Sequence, residues 1–465
     1  MNKHSSGRTG PLTVILAIFT VTFFFYRDFG SRMIYGYAVI GLLLAATALR
    51  WLIRNEKPTF TPVCAGAAML AAVIFVHFLL PGARRDADTT SYQISMLLCI
   101  AYVVLAPAHR EDVLRAGRVM HVGALAMAAF IIVFTMYPLL FLQHVYPLLS
   151  ETARRYYDFF APLGYGVSLG TYSYTDYVLF LGVAVCCGDL AVKPRTGKRI
   201  ARNAAALAVI GLAMVVLGRR GELLAAAVAV LVLVLALCSR KKRQIILIFG
   251  SVLCALGVTL VIVFLPQLRQ IAVLARYVET VEQLLSGGDI TSGRGALMAV
   301  AVNGFLSKPL FGVGWGQYVQ LSAQVGMCDT DGNLIEDCHN IYLQFLTETG
   351  VVGAVLILLP IGYLLVLTCR MLRSAKYMED KTALRFTSVS FLLQFFLLFI
   401  GIYDPSFQKI VFWCFYALAL LFLKAALRAG NWTPNDPVSR LLRKLTPLGD
   451  RIWKLLRTPL KEGKK

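Results

Sequence analysis

Long apolar runs separated by short polar breaks dominate the chain, and twelve of them read as membrane-spanning helices. They lie at about 11–26, 33–53, 60–81, 90–107, 119–141, 173–192, 203–218, 222–238, 244–264, 341–369, 386–403 and 410–427. A helix crosses the hydrocarbon layer with roughly 20 apolar residues, and these runs approach or exceed that length. The first is followed by Tyr26, Arg27 and Asp28 with no small-residue cleavage site, so it reads as an anchor rather than a removed signal. An even number of spans puts both termini on one side. Only one break is long: from about Leu265 to Cys338 the chain leaves the apolar pattern for some 74 residues. The prediction is an all-α, polytopic integral membrane protein with one large helical loop.

Composition agrees. Hydrophobic residues make up 58% and charged residues 15% of the 465 positions, with mean hydropathy +0.69, whereas a soluble chain is about a quarter charged. That leaves little for a large soluble domain. The charge needs placing: 46 Lys and Arg against 25 Asp and Glu give a net +21. In a soluble protein such a balance points to nucleic acid. Here 33 of the 46 cations fall in the breaks on one side of the twelve-span arrangement and 13 on the other, the bias that cytoplasmic loops show. The cations thus report topology and membrane lipid rather than nucleic acid. Both termini are expected in the cytoplasm, and the long loop is expected outside it. The chain divides into a transmembrane domain, 1–428, containing the loop 265–340, and a basic cytoplasmic tail, 429–465, which is expected to lie on the inner membrane surface.

The chemistry should sit among the cations that topology does not explain. In GRRGELLA, Arg219 and Arg220 interrupt apolar sequence on the side where cations are scarce. They form either a hairpin tip paired with Glu222 or an anion site, since ionisable groups beside a span tend to be functional and guanidinium forks fit phosphate oxygens. The long loop opens with an amphipathic stretch, where Leu268, Ile271, Ala272, Ala275, Val278, Val281 and Leu285 recur at spacings of three and four. Next, Thr291 or Ser292 is placed to cap a helix containing Arg294 that ends at Pro309. A cation at a helix N-terminus would reinforce the anion preference of the free backbone N–H groups there. Gly312, Gly314 and Gly316 surround Trp315 as loop architecture; without a preceding strand they are no nucleotide fingerprint. His339 stands where the loop meets the bilayer and has the side chain best suited to proton transfer near neutral pH. Cys328 and Cys338, ten positions apart, read either as a disulfide in an oxidising compartment or as two free thiols. No CxxC or His/Cys cluster supports a structural metal, and no cofactor is expected.

Taken together, GRRGELLA, SGRGALMAVAVNGFLSKPLFGVGWGQY and HNIYLQFLTETGVVG resemble the O-antigen ligase and O-antigen polymerase superfamily. The resemblance covers roughly Gly218 to Leu359, within a ligase/polymerase-like core at 203–370. It implies a GT-C-like membrane fold and a metal-independent, inverting glycosyltransferase of the bacterial inner membrane with its active site facing the periplasm. The donor it implies is a glycan on undecaprenyl diphosphate, and in the ligases the acceptor is lipid A–core. Arg220 and Gly221 match the family's Ser-Arg-Gly motif, while Arg219 stands in place of the serine. Arg294 matches the loop arginine and His339 the family histidine. The implied roles are catalytic base for His339 and diphosphate binding for Arg220 and Arg294, with Arg219 a further candidate.

Ligase is favoured over an O-antigen or exopolysaccharide polymerase and over a protein O-oligosaccharyltransferase because the chain has a single compact loop with HNIYLQ directly at the membrane. No extracytoplasmic C-terminal domain is apparent. A transporter of lipid-linked oligosaccharide is the alternative from another class. It would be expected to show internal repeats and spans broken at the midplane, and the sequence shows no convincing repeat.

Overall fold

The computed structural model describes residues 12–23, 29, 34–54, 60–169, 172–270, 272–288, 293–328, 335–405, 407, 410–432 and short pieces at 434–435, 437–441 and 444. The described residues form an all-α, polytopic bundle. Its apolar helices are α1 (Leu12–Val21), α2 (Ile34–Arg54), α3 (Pro62–Leu79), α4 (Ala87–Leu105), α5 (Arg110–Met136), α8 (Tyr172–Ala191), α9 (Gly197–Leu217), α10 (Arg220–Leu237), α11 (Arg240–Val263), α16 (Ile341–Ala375), α17 (Lys381–Ile400) and α18 (Ile410–Ala429). Between α5 and α8 lie α6 (Pro138–His144) and α7 (Glu151–Phe160). The long loop holds α12 (Leu265–Arg269), α13 (Ala272–Ser286), α14 (Arg294–Ser307) and α15 (Tyr318–Gln324). Among the described residues nine helices are long and apolar enough to cross a membrane, and the shorter apolar stretches Leu12–Val21, Ala38–Trp51 and Gln93–Leu105 fall at the other three expected spans.

Helix starts follow side chains that accept from the otherwise unpaired first N–H groups. Thr61 caps α3 ahead of Pro62, Thr196 caps α9, and Asp380 caps α17. The last apolar helix, α18, is the centre of the bundle: every residue from Ile410 to Leu427 is buried, with α1, α4, α5 and α17 packed around it. Even Lys424 is enclosed, its ammonium donating to the carbonyls of Val103 (3.1 Å), Val104 (3.1 Å) and Ala106 (2.6 Å). There it satisfies the end of α4, where a cation suits the helix dipole.

Two departures from the sequence reading matter for the site. The run read as 119–141 is α5 followed by a separate α6, divided at Pro138. The run read as 341–369 extends to Ala375 but is broken at Gly350, whose φ of 65° and ψ of −175° are not helical. A methyl at Gly350 would stand 2.3 Å from the Leu310 carbonyl, so the break is where the loop presses against α16.

At the other extreme from α18, α11 has no buried residue along its 24 positions; Leu247, Phe249, Leu253 and Val263 are all exposed. An apolar face of that size is stable only against lipid or another apolar surface.

Arg27, Arg32, Ile271, Thr291, Ser292, Lys409 and most of the tail beyond 441 lie outside the described residues.

Candidate functional site at the loop end of the bundle

The turn between α9 and α10 carries the arginine pair. Gly218 closes α9 in the left-handed conformation, φ 77°, and the next two side chains diverge. Arg219 points inward. Its guanidinium pairs with Glu222 in the first turn of α10, with Asp176 of α8 at 3.5 Å and with Asp404 of the α17–α18 connection at 3.4 Å. The Arg219 side chain is 12% exposed, and the three acids are 0%, 3% and 5% exposed. A guanidinium held by three buried carboxylates has its charge answered by protein. Through these three pairs Arg219 ties α8, α10 and the α17–α18 connection together.

Arg220 points toward the loop instead and donates to Thr280 Oγ1 on α13. One turn earlier on α13 is Arg276, whose guanidinium carbon sits 3.5 Å from the centre of the Tyr165 ring and whose Nη1 donates to Leu163 O at 3.2 Å. Burial lowers the Arg276 pKa from its ordinary value, and the positive charge of Arg220 lowers it further, while Tyr165 works in the opposite sense. Two guanidiniums close enough to repel one another mark a local excess of positive potential. Arg276 is one of the 13 cations on the cation-poor side of the twelve-span arrangement. Its signal was the stripe itself, which placed an arginine on a helix that must face the arginine turn.

Arg294 is the first residue of α14. The residue before it, Gly293, holds the N-cap position at φ 83° with no side-chain cap; the caps expected at Thr291 and Ser292 lie outside the described residues. Arg294 Nη1 donates to Tyr403 O at 3.0 Å. Burial, followed by repulsion from Arg219, lowers its pKa, and Asp404, Tyr165 and Asp337 act the other way. Arg294 is thus within electrostatic reach of Arg219, Asp404, Tyr165 and Asp337.

Asp337 brings in the histidine. Its Oδ1 accepts from the His339 backbone N–H at 3.1 Å and lies 3.6 Å from His339 Nδ1. His339 itself has φ 56°, a conformation that costs a non-glycine residue of order 1–3 kcal/mol and persists where the surroundings impose it. Those surroundings are rigid. Asn340 caps α16, accepting from the N–H groups of Tyr342 and Leu343 at 3.1 and 3.0 Å. The Ile341 N–H donates to Gly401 O at 2.8 Å. The imidazole is consequently presented at the start of a well-capped helix, still 31% exposed.

The glycine-rich turn is loop architecture, as the sequence indicates. Glu348 of α16 accepts from the N–H of Gly316 at 2.9 Å and of Tyr318 at 3.4 Å, and Gln344 donates to it at 3.1 Å. A methyl at Gly312 would lie 2.4 Å from the Glu348 carbonyl. Beside this turn is a cavity of about 40 Å³ bounded by Arg84, Gln93, Trp315, Phe345 and Phe407.

Cys328 and Cys338 are free thiols, the first exposed and the second buried. The Cys338 Sγ–H donates to Asn340 O at 3.2 Å and packs near Ala301 and Tyr318. Among the described residues no group of three His, Cys, Asp or Glu side chains is placed to hold a metal ion.

The fold and this site define a polytopic membrane protein that gathers arginines and a carboxylate-supported histidine at one end of its bundle. Residues 205–358 match the family model described as O-antigen ligase, and this segment belongs to the O-antigen ligase superfamily. A glycosyltransferase-like enzyme is thereby implied, with a lipid-linked glycan and an acceptor as partners. No curated protein matches the chain significantly. The matched segment contains Arg219, Arg220, Arg276, Arg294, Asp337 and His339, whereas Tyr165, which positions Arg276, and Asp176 and Asp404, which position Arg219, come from outside it.

Proposed function

We propose that the protein is an O-antigen ligase that transfers a glycan from undecaprenyl diphosphate to a hydroxyl of lipid A–core on the periplasmic side of the inner membrane. The observation that carries this reading is that, within the family segment, Arg220 reaches α13 one turn from Arg276, while Arg294 lies within electrostatic reach of the Asp337 that accompanies His339. The cation bias of the chain supports a periplasmic position for that end.

The chemistry follows from the leaving group. In the donor the bond to be broken joins the anomeric carbon to a diphosphate oxygen, and negative charge grows on that oxygen as the bond lengthens. Arg220, Arg276 and Arg294 are fixed cations suited to meet that charge without reorganisation. His339 accepts the proton of the acceptor hydroxyl while the hydroxyl oxygen attacks the opposite face of the anomeric carbon, inverting it. A base so placed contributes on the order of 10²–10⁴-fold, and Asp337 holds the ring in position. The reaction needs no electron transfer and consumes only the donor bond.

Purified protein supplied with a labelled lipid-linked glycan and lipid A–core tests this. Label arriving on lipid A–core supports ligase. Label that lengthens the lipid-linked glycan, with none on lipid A–core, would identify a polymerase. If Arg220→Ala, Arg294→Ala and His339→Ala all retain full transfer, the site assignment is wrong.

A further inference from the structure

At the end of the bundle away from the candidate site, a cavity of about 720 Å³ opens between α8, α9, α10 and the foot of α11. Along α10 this is 17 residues from Arg220, roughly 26 Å at the helical rise. Its walls are apolar, built from Leu190, Leu207, Val230, Leu233 and Leu237, and its mouth carries Lys193, Arg195, Lys242, Lys376 and Lys381. No acid lines it. The nearby Asp189 is taken by Arg385 at 2.6 Å and Arg202 at 3.4 Å. Among the described residues none of the five mouth cations pairs with a carboxylate.

The cations come from four separate parts of the chain. Lys193 and Arg195 lie in the α8–α9 connection, Lys242 at the start of α11, Lys376 just past α16 and Lys381 at the start of α17. Lys376 is held over the groove by donating to Ala236 O, and Lys381 by donating to Met378 O at 2.7 Å. Burial and repulsion from Arg243 and Arg373 lower the Lys376 pKa. A general excess of cations on this side needs only topology. Topology does not require that five of them ring an apolar groove. The groove also adjoins α11, a long apolar helix with no buried residue, so its outer wall is completed by whatever fills the space between α11 and the bundle.

We propose that this groove binds an anionic phospholipid, its phosphate among the five cations and its acyl chains along α10 and α11, tying the foot of α11 to the rest of the protein. A phosphate offers several acceptor oxygens to cations from different helices, and basic pockets between spanning helices suit acidic headgroups. The acyl chains answer the apolar walls that a free anion would leave exposed.

The test uses the full-length protein in detergent. Thermal unfolding is followed with added dioleoyl-phosphatidylglycerol, dioleoyl-phosphatidylcholine or inorganic phosphate, and native mass spectrometry counts retained lipid. The expected result is a saturable rise in Tm and one retained lipid with phosphatidylglycerol only. Replacing the exposed Lys193, Arg195 and Lys242 by Gln should weaken that binding roughly fivefold for each cation lost, on the order of 100-fold together. Arg115→Gln with Lys198→Gln, two exposed cations of the same end that do not line the groove, should leave it unchanged. An equal rise with phosphatidylcholine or with inorganic phosphate overturns the proposal. So does an equal loss in the Arg115/Lys198 control, or none in the groove variant.

Discussion

Arg276 and Tyr165 form a stacked pair, guanidinium over ring at 3.5 Å, and they join two parts of the chain that the family segment alone does not connect. Stacking fixes the plane of a side chain that otherwise has many rotamers, and it leaves the edge of the fork for an anion. In the proposed enzyme this makes Arg276 a diphosphate ligand beside Arg220.

Arg276→Ala is expected to slow glycan transfer by about 10²-fold, the usual cost of removing one fixed donor from a developing oxyanion. Arg276→Lys should recover little, because an ammonium keeps the charge but not the planar face. Initial rates with labelled donor, read alongside Tm to confirm folding, check both.

Arg219→Ala should act on stability first. Removing one partner from a buried ionic cluster typically costs 3–5 kcal/mol, and here Asp176, Glu222 and Asp404 are all left facing one another. A fall in Tm is expected, partly restored by adding Glu222→Gln or Asp404→Asn. An unchanged Tm with lost transfer would instead place Arg219 in the substrate site.

His339→Ala should lower kcat by 10²–10⁴-fold with little change in donor KM, because the proton moves only in the transition state. Asp337→Asn should lower kcat less, since the imidazole remains and the amide oxygen can still face Nδ1, but the carboxylate charge 3.6 Å from Nδ1 is lost. Arg294→Ala is expected to raise donor KM as well as lower kcat. Steady-state kinetics with varied donor separates the three.

Burial pushes the Cys338 thiol up to about 12. A thiol group raised in the folded state holds its proton at neutral pH, so Cys338 lacks the thiolate that alkylating reagents need. Iodoacetamide at pH 8 should label the exposed Cys328 in the folded protein and Cys338 only after denaturation. Above pH 9 the unfolded chain loses this proton while the folded one keeps it, so stability should decline as pH rises through that range. Mass spectrometry of the labelled peptides reads the first prediction and equilibrium unfolding the second.

Gly350→Ala should destabilise strongly. The backbone at φ 65° disfavours any side chain, and the added methyl would meet the Leu310 carbonyl at 2.3 Å. Gly211→Ala and Gly250→Ala, helical sites where nothing lies within 4 Å, should be neutral or slightly stabilising.

The spanning helices were legible because twenty-odd apolar residues in a row have few other uses, and the arginine turn was legible because it broke such a run. What escaped were relations made by distant residues. Nothing near Arg219 announces that Asp176 and Asp404 will close on it; the sequence set it apart from Arg220 only by its place where the family has a serine. Arg276 was hidden in an amphipathic stripe whose apolar positions explained the helix well enough. The break in α16 was invisible because glycine is common in membrane helices; only the loop pressing on Gly350 gives it meaning. His339 was placed correctly at the end of the loop, but Asp337, two residues away, gained its role only when the backbone turned to bring both onto one side.

The unpacked α11 has a further consequence for the loop it carries. Twenty-four residues span roughly 36 Å, against a hydrocarbon layer of about 30 Å, and no buried contact fixes the depth or tilt of this helix. Its upper end continues directly into α12 and then α13, the helix that holds Arg276. Because α13 is itself held to the bundle by the Arg276–Tyr165 and Arg220–Thr280 contacts, a bilayer that changes the tilt of α11 loads the junction between the two helices, and short-chain or long-chain lipid should alter the turnover of the protein without touching any residue of its site.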